Sequence, residues 1–307
     1  MTSPQFDSAR PFGRLLTAMV TPMTSAGSVD VDGAARLATY LVDEQHNDAL
    51  VISGTTGESP TTTDAEKDTL LRAVIDAVGD RAHVVAGVGT NDTRHTIELA
   101  RSAEKAGVHG VLVVTPYYNK PPQAGLLAHF TAVADAIDTP IILYDIPHRS
   151  GVPIHTETLV RAAEHPRIVA VKDAKDDVVA TSWVTSRTDL AFYCGSDPMT
   201  LAMLAVGAVG VVGTSTHFVG RPTKEMILAY ESGDVTEARR LHRLLLPMFT
   251  GIFKTQGTIL VKAGLGTLGL PSGPVRSPLV NATAEELATL RVDAAAAGVT
   301  LPEVSPR

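Results

Sequence analysis

The chain has 307 residues, of which 44% are hydrophobic and 19% are charged, and its formal net charge is −7. This composition is typical of a globular protein with a large core, and the acidic balance argues against a nucleic-acid-binding surface. Because no apolar run could span a membrane and the N-terminus lacks the charged-then-apolar order of a signal peptide, we expect a cytoplasmic protein.

Cysteine and histidine usage limits the chemistry further. Cys194 is the only cysteine in the sequence, so the chain can form no internal disulfide. The ten histidines are scattered, without the spacing of a zinc or iron motif. We therefore expect neither a disulfide framework nor a metal site.

Short apolar runs recur along the chain. They are continuously apolar rather than alternating, which is typical of strands that are buried on both faces. Their starts lie 20 to 34 residues apart, which leaves room for a helix after each run. The eight runs are residues 15–22, 49–54, 83–89, 110–116, 140–146, 168–173, 190–195 and 210–215.

Helical patterns occupy the intervals between these runs. Residues 62–79 begin with Thr63 and Glu66 at the spacing of a capping box and end at a glycine. Residues 93–107 and 124–137 also have helical periodicity. Eight alternating strands and helices predict parallel β–α units and a (β/α)8 TIM barrel. A doubly wound sheet is second, because no glycine-rich dinucleotide fingerprint follows the first strand.

The strand signals stop after about residue 220. Residues 224–253 and 284–297 are both helical in pattern. We therefore predict that residues 1–224 form the barrel and that residues 225–307 form a C-terminal helical region.

Chemically useful residues gather where the predicted strands end. In a TIM barrel these ends meet at one mouth, which carries the active site. The segments are GTTGES after the second strand, TPYYNKPP after the fourth, YDIPHRSG at the fifth, and GSD after the seventh, while Lys172 lies on the sixth.

Lys172 is the most informative of these residues, since it follows an apolar strand directly. A buried amine there costs free energy unless it is paired, solvated or neutral. Asp173 is the next residue on the strand and should face the opposite side, which makes it a poor partner. A neutral lysine is a nucleophile that forms Schiff bases with carbonyl compounds, and no metal is required. The alternative is a structural lysine paired with a carboxylate. We expect Lys175 to lie beyond the strand, in solvent.

The other candidates each have a functional and a structural interpretation. Thr55 and Thr56 could hold a carboxylate through their hydroxyl and backbone N–H groups, or simply form a turn before a helix. Tyr118 could project from its loop or fill a contact. Tyr144 ends an apolar strand, where its phenol needs a partner. Arg149 could clamp a substrate carboxylate or lie at the surface.

Taken together, the ordered segments GTTGES, TPYYNKPPQ, YDIPHRSG and VKDAK resemble the dihydrodipicolinate synthase family of pyruvate-dependent class I aldolases, and the resemblance covers residues 15 to about 300. It implies condensation of pyruvate with L-aspartate 4-semialdehyde to 4-hydroxy-tetrahydrodipicolinate, in lysine and diaminopimelate biosynthesis. It implies no cofactor beyond a covalent pyruvate Schiff base. It also implies a homotetramer built as a dimer of dimers, with no nucleic acid or membrane partner.

The resemblance assigns catalytic roles position by position. Lys172 matches the lysine that forms the Schiff base. Thr55 and Thr56 match the pair that holds the pyruvate carboxylate. Tyr144, Thr56 and Tyr118 match a proton relay, in which Tyr118 reaches into the site of the neighbouring subunit.

Further positions match the walls of the substrate site, with two departures. Arg149 matches the arginine that grips the carboxylate of the semialdehyde, and Gly195 and Val212 match the lining of the pyruvate pocket. His148 stands where relatives commonly have a small or polar residue. The eighth strand continues as GTSTHF (213–218), unlike the Ile-Ser-Val type of sequence in relatives.

Feedback control is expected to differ as well. Lysine-sensitive members of the family use two histidines in the second helix and a glutamate in the third. The matching residues here are Asp64, Lys67 and His95. We therefore predict that free lysine does not inhibit this protein.

Alternative functions remain at this point. The first is another lyase of the same superfamily, such as N-acetylneuraminate lyase or a 2-keto-3-deoxy sugar-acid aldolase; these generally lack an arginine at the position of Arg149. The second is a barrel that binds a 2-oxo acid without turning it over, which would not need the relay residues. A barrel of unrelated chemistry is the third.

Overall fold

The computed structural model describes residues 7–303 and shows parallel strands closed into a barrel in chain order. The closing pair joins β1 to β8, with Leu16 beside Val212. Each strand lies within one of the predicted apolar runs, so the TIM barrel prediction is confirmed. The strands are β1 Leu15–Ala18, β2 Ala49–Ile52, β3 His83–Gly87, β4 Gly110–Val114, β5 Ile141–Asp145, β6 Ile168–Asp173, β7 Ala191–Cys194 and β8 Gly210–Gly213.

Helices follow the strands, as the periodicity predicted. The capping box of Thr63 and Glu66 is present, and Gly107 ends its helix in the left-handed conformation. None of the helices in the described residues is both long and apolar enough to cross a membrane. The helices are α1 Val31–Asp43, α2 Asp64–Val78, α3 Thr93–Ala106, α4 Gln123–Asp135, α5 Pro147–Ser150, α6 Thr156–Ala162, α7 Val178–Thr185, α8 Thr200–Ala205, α9 Thr216–Glu231, α10 Val235–Gly251, α11 Gly257–Thr267 and α12 Ala284–Ala296.

Each strand is buried on both faces, which explains the continuous apolar runs. One face packs against the helices, and the other fills the barrel interior with side chains such as Leu112, Ile142 and Val212. Strand register places Tyr144 of β5 and Tyr193 of β7 on either side of Lys172 of β6. The sheet therefore determines which side chains surround the lysine.

The C-terminal helices pack onto the end of the barrel. Helix α10 contacts both α9 and α12. The predicted boundary at residues 224/225 lies inside α9, so no loop separates the two regions there. The division into regions stays a prediction, and its outermost residues, 1–6 and 304–307, lie outside the described residues.

A buried ion pair connects α11 to the loop after β2. Lys262 Nζ lies 2.7 Å from Glu58 Oε1, and the two side chains are only 2% and 1% exposed. Lys262 also donates to the carbonyl of Pro274 at 2.7 Å, and the backbone N–H of Arg276 donates to Glu58 Oε2 at 2.8 Å. The sequence did not predict this pair, because its partners are 204 residues apart.

This burial makes a stability prediction. Replacing Lys262→Met leaves the Glu58 carboxylate buried and unpaired, and it should lower the free energy of unfolding by about 3–5 kcal/mol in urea titrations. The double variant Glu58→Gln/Lys262→Met should recover part of that loss. Lys254 is the control, because its ion pair with Asp293 leaves the lysine side chain 50% exposed. Lys254→Met should cost under about 1 kcal/mol. Equal losses for the two lysines would contradict the prediction.

Candidate active site at the barrel mouth

Lys172 lies inside the barrel mouth, and the residue is only 5% exposed. Its Nζ lies 4.3 Å from the centroid of the Tyr144 ring. Asp173 points to the other face, where its carboxylate accepts hydrogen bonds from the Thr181 hydroxyl at 2.8 Å and from the Lys175 backbone N–H at 2.8 Å. The neighbouring carboxylate is therefore not the partner of Lys172, as the strand geometry predicted.

The surroundings of Lys172 shift its amine toward the neutral form. The pKa of Lys172 is lowered to about 8, chiefly by burial; Asp197 opposes this effect, and the nearby Arg149 guanidinium makes a smaller contribution in the same direction as burial. A lysine with this pKa has a substantial neutral fraction near neutral pH, unlike an exposed lysine. The amine is thus suited to attack a carbonyl carbon.

Asp197 is the carboxyl group with the largest effect on the pKa of Lys172, and its own burial raises the pKa of Asp197. It is 1% exposed and follows β7. Its carboxylate accepts hydrogen bonds from the backbone N–H groups of Thr214 at 3.1 Å and Ser215 at 3.0 Å, and from the Ser215 hydroxyl at 2.5 Å. Asp197 therefore joins the ends of β7 and β8 and keeps the pKa of Lys172 from falling further. We predicted site residues at this strand end but no role for Asp197; the signal was an acidic residue shortly after a buried strand.

Tyr144 is a second buried polar group at the mouth, with 5% of the residue exposed. Burial raises the pKa of its phenol, and the Arg149 cation only partly opposes that effect. The phenol is therefore protonated at neutral pH and can donate a proton or a hydrogen bond beside the lysine.

The loop that carries Thr55 and Thr56 turns sharply between β2 and α2. Ser53 and Glu58 bound it, and both have positive φ, 57° and 58°. Residues other than glycine rarely adopt this backbone conformation. From α11, the Thr258 hydroxyl donates to the carbonyl of Thr56 at 3.0 Å. The loop is thus held in a defined shape at the rim of the barrel.

One cleft of about 460 Å³ joins most of the predicted residues. Its size suits small-molecule substrates. Phe253, Gln256 and Thr258, from the C-terminal helical region, form part of its wall. A smaller cavity of about 240 Å³ shares Thr55, Tyr144 and Arg149 with it. The predicted site residues that line the cleft are Thr55, Thr56, Tyr144, Arg149, Lys172 and Gly195.

His148, which differs from the family pattern, lies next to Arg149, the predicted carboxylate-binding residue, in the wall of this cleft. His148 and Arg149 both belong to the short helix α5, both line the cleft, and both are exposed. An exposed guanidinium at a cleft that contains a buried amine can bind an incoming carboxylate. His148 therefore does not displace Arg149 from the cleft wall.

Gly195 supplies close packing at the end of β7. A Cβ atom built there would lie 3.0 Å from the Ala174 Cβ and 3.1 Å from the Asp173 carbonyl oxygen. A larger residue would have to displace the end of β6, where Lys172 is located.

Two predicted residues lie outside the cleft of their own chain. Val212 is 1% exposed and packs in the barrel interior beneath the mouth. Tyr118 is 88% exposed, with φ of 74°, and its backbone N–H donates to the Ser150 carbonyl at 3.3 Å. Its phenol is therefore available to another molecule rather than to Lys172 of the same chain.

Lys175 is not in solvent, contrary to the sequence-based expectation. Its side chain is 13% exposed, and its amine lies 3.2 Å from Asp145 Oδ2 and 3.3 Å from the Ile154 carbonyl. β6 pairs with β5 in the sheet, and Asp145 at the end of β5 lies beside Asp173, so the amine of Lys175 reaches the buried Asp145 carboxylate. Lys175 is thus paired, whereas Lys172 lies against an aromatic ring.

The unusual segment after β8 is an internal brace. His217 is fully buried, its Nε2 accepts from the Val20 backbone N–H at 3.1 Å, and its Nδ1 donates to the Thr214 carbonyl at 2.8 Å. Thr216 is hydrogen-bonded to Thr17 at 2.7 Å. The departure from the family pattern therefore joins the ends of β1 and β8, and Thr214 of the same segment lines the cleft.

The three residues expected to weaken lysine feedback lie close together. His95 Nε2 is 2.9 Å from Asp64 Oδ2, and Lys67 Nζ is 3.6 Å from Asp64 Oδ1. Lys67 also donates to the Thr62 carbonyl at 2.8 Å. These three side chains therefore interact with one another.

Among residues 7–303, no cluster of three or more His, Cys, Asp or Glu side chains could hold a metal ion.

Known proteins resemble this chain over nearly its whole length. The model of the dihydrodipicolinate synthetase family matches residues 11–297. A 4-hydroxy-tetrahydrodipicolinate synthase from Acidothermus cellulolyticus is 71% identical over 290 residues, 94% of each chain. 4-Hydroxy-tetrahydrodipicolinate synthase 2 from Streptomyces coelicolor is 61% identical, over 95% of this chain and 97% of the other. A dihydrodipicolinate synthase from Cyanidioschyzon merolae, crystallised with lysine bound, has a TM-score of 0.92 at 41% identity, over 94% of this chain and 99% of that one.

The environment of Lys172 makes a titration prediction. Competitive acetylation with trace acetic anhydride, followed by peptide mass spectrometry, should show half-maximal reactivity of Lys172 near pH 8. Arg149→Met should move this midpoint upward, because it removes a cation that disfavours the charged amine, while Arg149→Lys should change it less. A lysine in water ordinarily titrates at about pH 10.4. A midpoint for Lys172 in that range would contradict the desolvation argument.

Proposed function

Because this chain belongs to the dihydrodipicolinate synthetase family, we propose that its barrel mouth is the active site and that Lys172 forms the Schiff base with pyruvate. The chain is a lyase that condenses pyruvate with L-aspartate 4-semialdehyde to give 4-hydroxy-tetrahydrodipicolinate, a step of lysine and diaminopimelate biosynthesis. The observation that carries the assignment to Lys172 is its buried amine, held against the Tyr144 ring with a pKa of about 8.

The chemistry begins at the Lys172 amine. Its neutral Nζ attacks the ketone carbon of pyruvate, and loss of water gives an iminium ion. The iminium draws electrons from the adjacent methyl group, which loses a proton and becomes an enamine carbon. That carbon forms a bond to the aldehyde carbon of the semialdehyde, whose oxygen takes up a proton.

Ring closure releases the enzyme. The amine of the former semialdehyde attacks the imine carbon, and the bond between that carbon and Lys172 Nζ breaks. Lys172 is then free for another cycle, and the cyclic product leaves with its hydroxyl group, which is lost as water later. No metal or separate organic cofactor takes part in this proposal.

Proton transfer is assigned to the tyrosines and a threonine. Tyr144 lies beside Lys172, and its protonated phenol can donate to the oxygen that leaves pyruvate and take up the methyl proton afterwards. Thr56 continues the relay from the cleft wall, and Tyr118 completes it. A relay limits contact of the reacting carbon with bulk water.

Substrate binding is assigned to the loops around the lysine. Thr55 and Thr56 hold the pyruvate carboxylate, Arg149 binds the carboxylate of the semialdehyde, and Gly195 and Val212 shape the floor. The presence of Arg149 in the cleft wall favours the semialdehyde over the sugar-derived aldehydes of the related lyases.

Tyr118 requires a second copy of the chain. Because it is 88% exposed and lies outside its own cleft, its proposed role depends on insertion into the cleft of a partner. We therefore propose a homotetramer, a dimer of dimers, with Tyr118 exchanged within each tight dimer. Action in the cytoplasm stays a prediction.

Chemical trapping tests the assignment of Lys172. After incubation with pyruvate and reduction with borohydride, peptide masses should show a pyruvate-derived adduct on Lys172. Lys172→Ala should give no adduct, whereas Lys175→Arg should leave the adduct on Lys172. Pyruvate consumption should follow addition of L-aspartate 4-semialdehyde and not of N-acetylmannosamine. A folded wild-type protein without the adduct would sink the proposal, and turnover with the sugar would favour a related lyase.

Feedback inhibition gives a separate prediction. L-Lysine carries two amines. The positions that match the lysine site of sensitive relatives contain Lys67 in place of a histidine, while Asp64 and His95 are bonded to each other. Millimolar L-lysine should therefore leave the initial rate unchanged in a coupled assay. The variant Lys67→His should gain measurable sensitivity if charge repulsion is the cause. Strong inhibition of the wild type would contradict this expectation.

A further inference from the structure

The loop of Thr55 and Thr56 does not keep its shape through local sequence alone. Ser53 at its start and Glu58 at its end both lie in the left-handed region, with φ of 57° and 58°. Neither residue is a glycine, so the backbone conformation is strained. Hydrogen bonds within the loop, such as that from the Glu58 N–H to the Thr55 carbonyl at 3.2 Å, act together with contacts from elsewhere.

Helix α11 supplies a contact to the middle of this loop. Thr258 lies in its first turn, is 1% exposed, and donates its hydroxyl to the Thr56 carbonyl at 3.0 Å. Its backbone N–H bonds to the side chain of Gln256, the N-cap of the helix, at 2.7 Å. The Gln256 side chain therefore caps the start of the helix, and the Thr258 hydroxyl contacts the loop from there.

The same helix also holds the end of the loop. Lys262 comes four residues after Thr258, so the two side chains lie on one face of α11. Lys262 forms the buried ion pair with Glu58 described above, at 2.7 Å. One helix face therefore grips both Thr56 and Glu58. A separate bond, from the Thr21 hydroxyl to the Gly57 carbonyl at 2.6 Å, secures the loop from the barrel side.

We infer that Thr258 is a positioning residue for the pyruvate carboxylate, acting through the backbone of Thr56. The hydroxyl of Thr258 fixes the peptide plane that follows Thr56, and this plane determines where the side chain of Thr56 and the neighbouring N–H groups meet the carboxylate. The C-terminal helical region thereby takes part in binding the first substrate. This inference rests on the proposed function, since it needs Thr55 and Thr56 to bind pyruvate.

The test compares two substitutions at this position with a matched control. Thr258→Val removes the hydroxyl and keeps the shape of the side chain, whereas Thr258→Ser keeps the hydroxyl. Thr267→Val is the control, because Thr267 lies on the same helix and its hydroxyl donates to Gly264 within α11, at 2.7 Å. Thermal unfolding and circular dichroism establish that each variant is folded; Thr258→Ala replaces the valine variant if that variant does not fold.

The readout separates the two substrates. Thr258→Val should raise the KM for pyruvate, and the pyruvate concentration that half-saturates borohydride trapping, by about tenfold, the factor expected for one lost hydrogen bond. The KM for the semialdehyde should change less than about twofold, since Arg149 is untouched. Thr258→Ser and Thr267→Val should both stay close to wild type.

The unfavourable outcomes differ from one another. If wild-type protein is trapped by pyruvate but Thr258→Val has the same half-saturation, the hydroxyl is only structural and this inference is overturned alone. The same holds if Thr258→Val lowers the unfolding temperature and raises the KM of both substrates equally. If the wild type gives no adduct, the proposed function fails and this inference fails with it.

Discussion

The desolvation of one amine is the constraint on which the site depends. A closed barrel of parallel strands buries Lys172 among its neighbours and leaves the amine against the Tyr144 ring rather than against a carboxylate. Water can no longer stabilise the ammonium ion well, so the pKa of Lys172 falls to about 8. Three features hold the groups around Lys172 in place: the strand register, the close packing at Gly195, and the hydrogen bonds of Asp197 to the end of β8.

Three buried lysines near the mouth differ in whether they form an ion pair. Lys175 and Lys262 are both largely buried, and each lies against a carboxylate, Asp145 and Glu58 respectively. These two ion pairs connect distant parts of the chain and contribute to the fold. Lys172 is as buried as these, but its neighbour on the strand, Asp173, bonds to other groups. Among residues 7–303, no carboxylate forms an ion pair with Lys172, so burial has the largest effect on its pKa.

The C-terminal helices belong to the site as much as to the scaffold. Phe253 and Gln256 form part of the cleft wall, and α11 holds the loop that carries the threonines. A barrel alone provides an open ring of strand ends, and its loops need outside support to keep a strained backbone. The helices that follow β8 supply that support and cover one side of the mouth.

Much of this architecture was determined by the sequence alone. The barrel and its mouth were predicted from the apolar runs, the capping box before α2 and the residues at the strand ends. Strand burial and helix periodicity both produce local sequence patterns, so they can be recognised without the structure. The same rule placed Lys172, Tyr144 and Arg149 together. Tertiary structure alone decided the bonds of Asp197 to the end of β8, the burial of Lys175, and the hold of α11 on the loop after β2. These depend on groups that meet only when the chain closes, and no periodicity records which distant partner satisfies a buried charge.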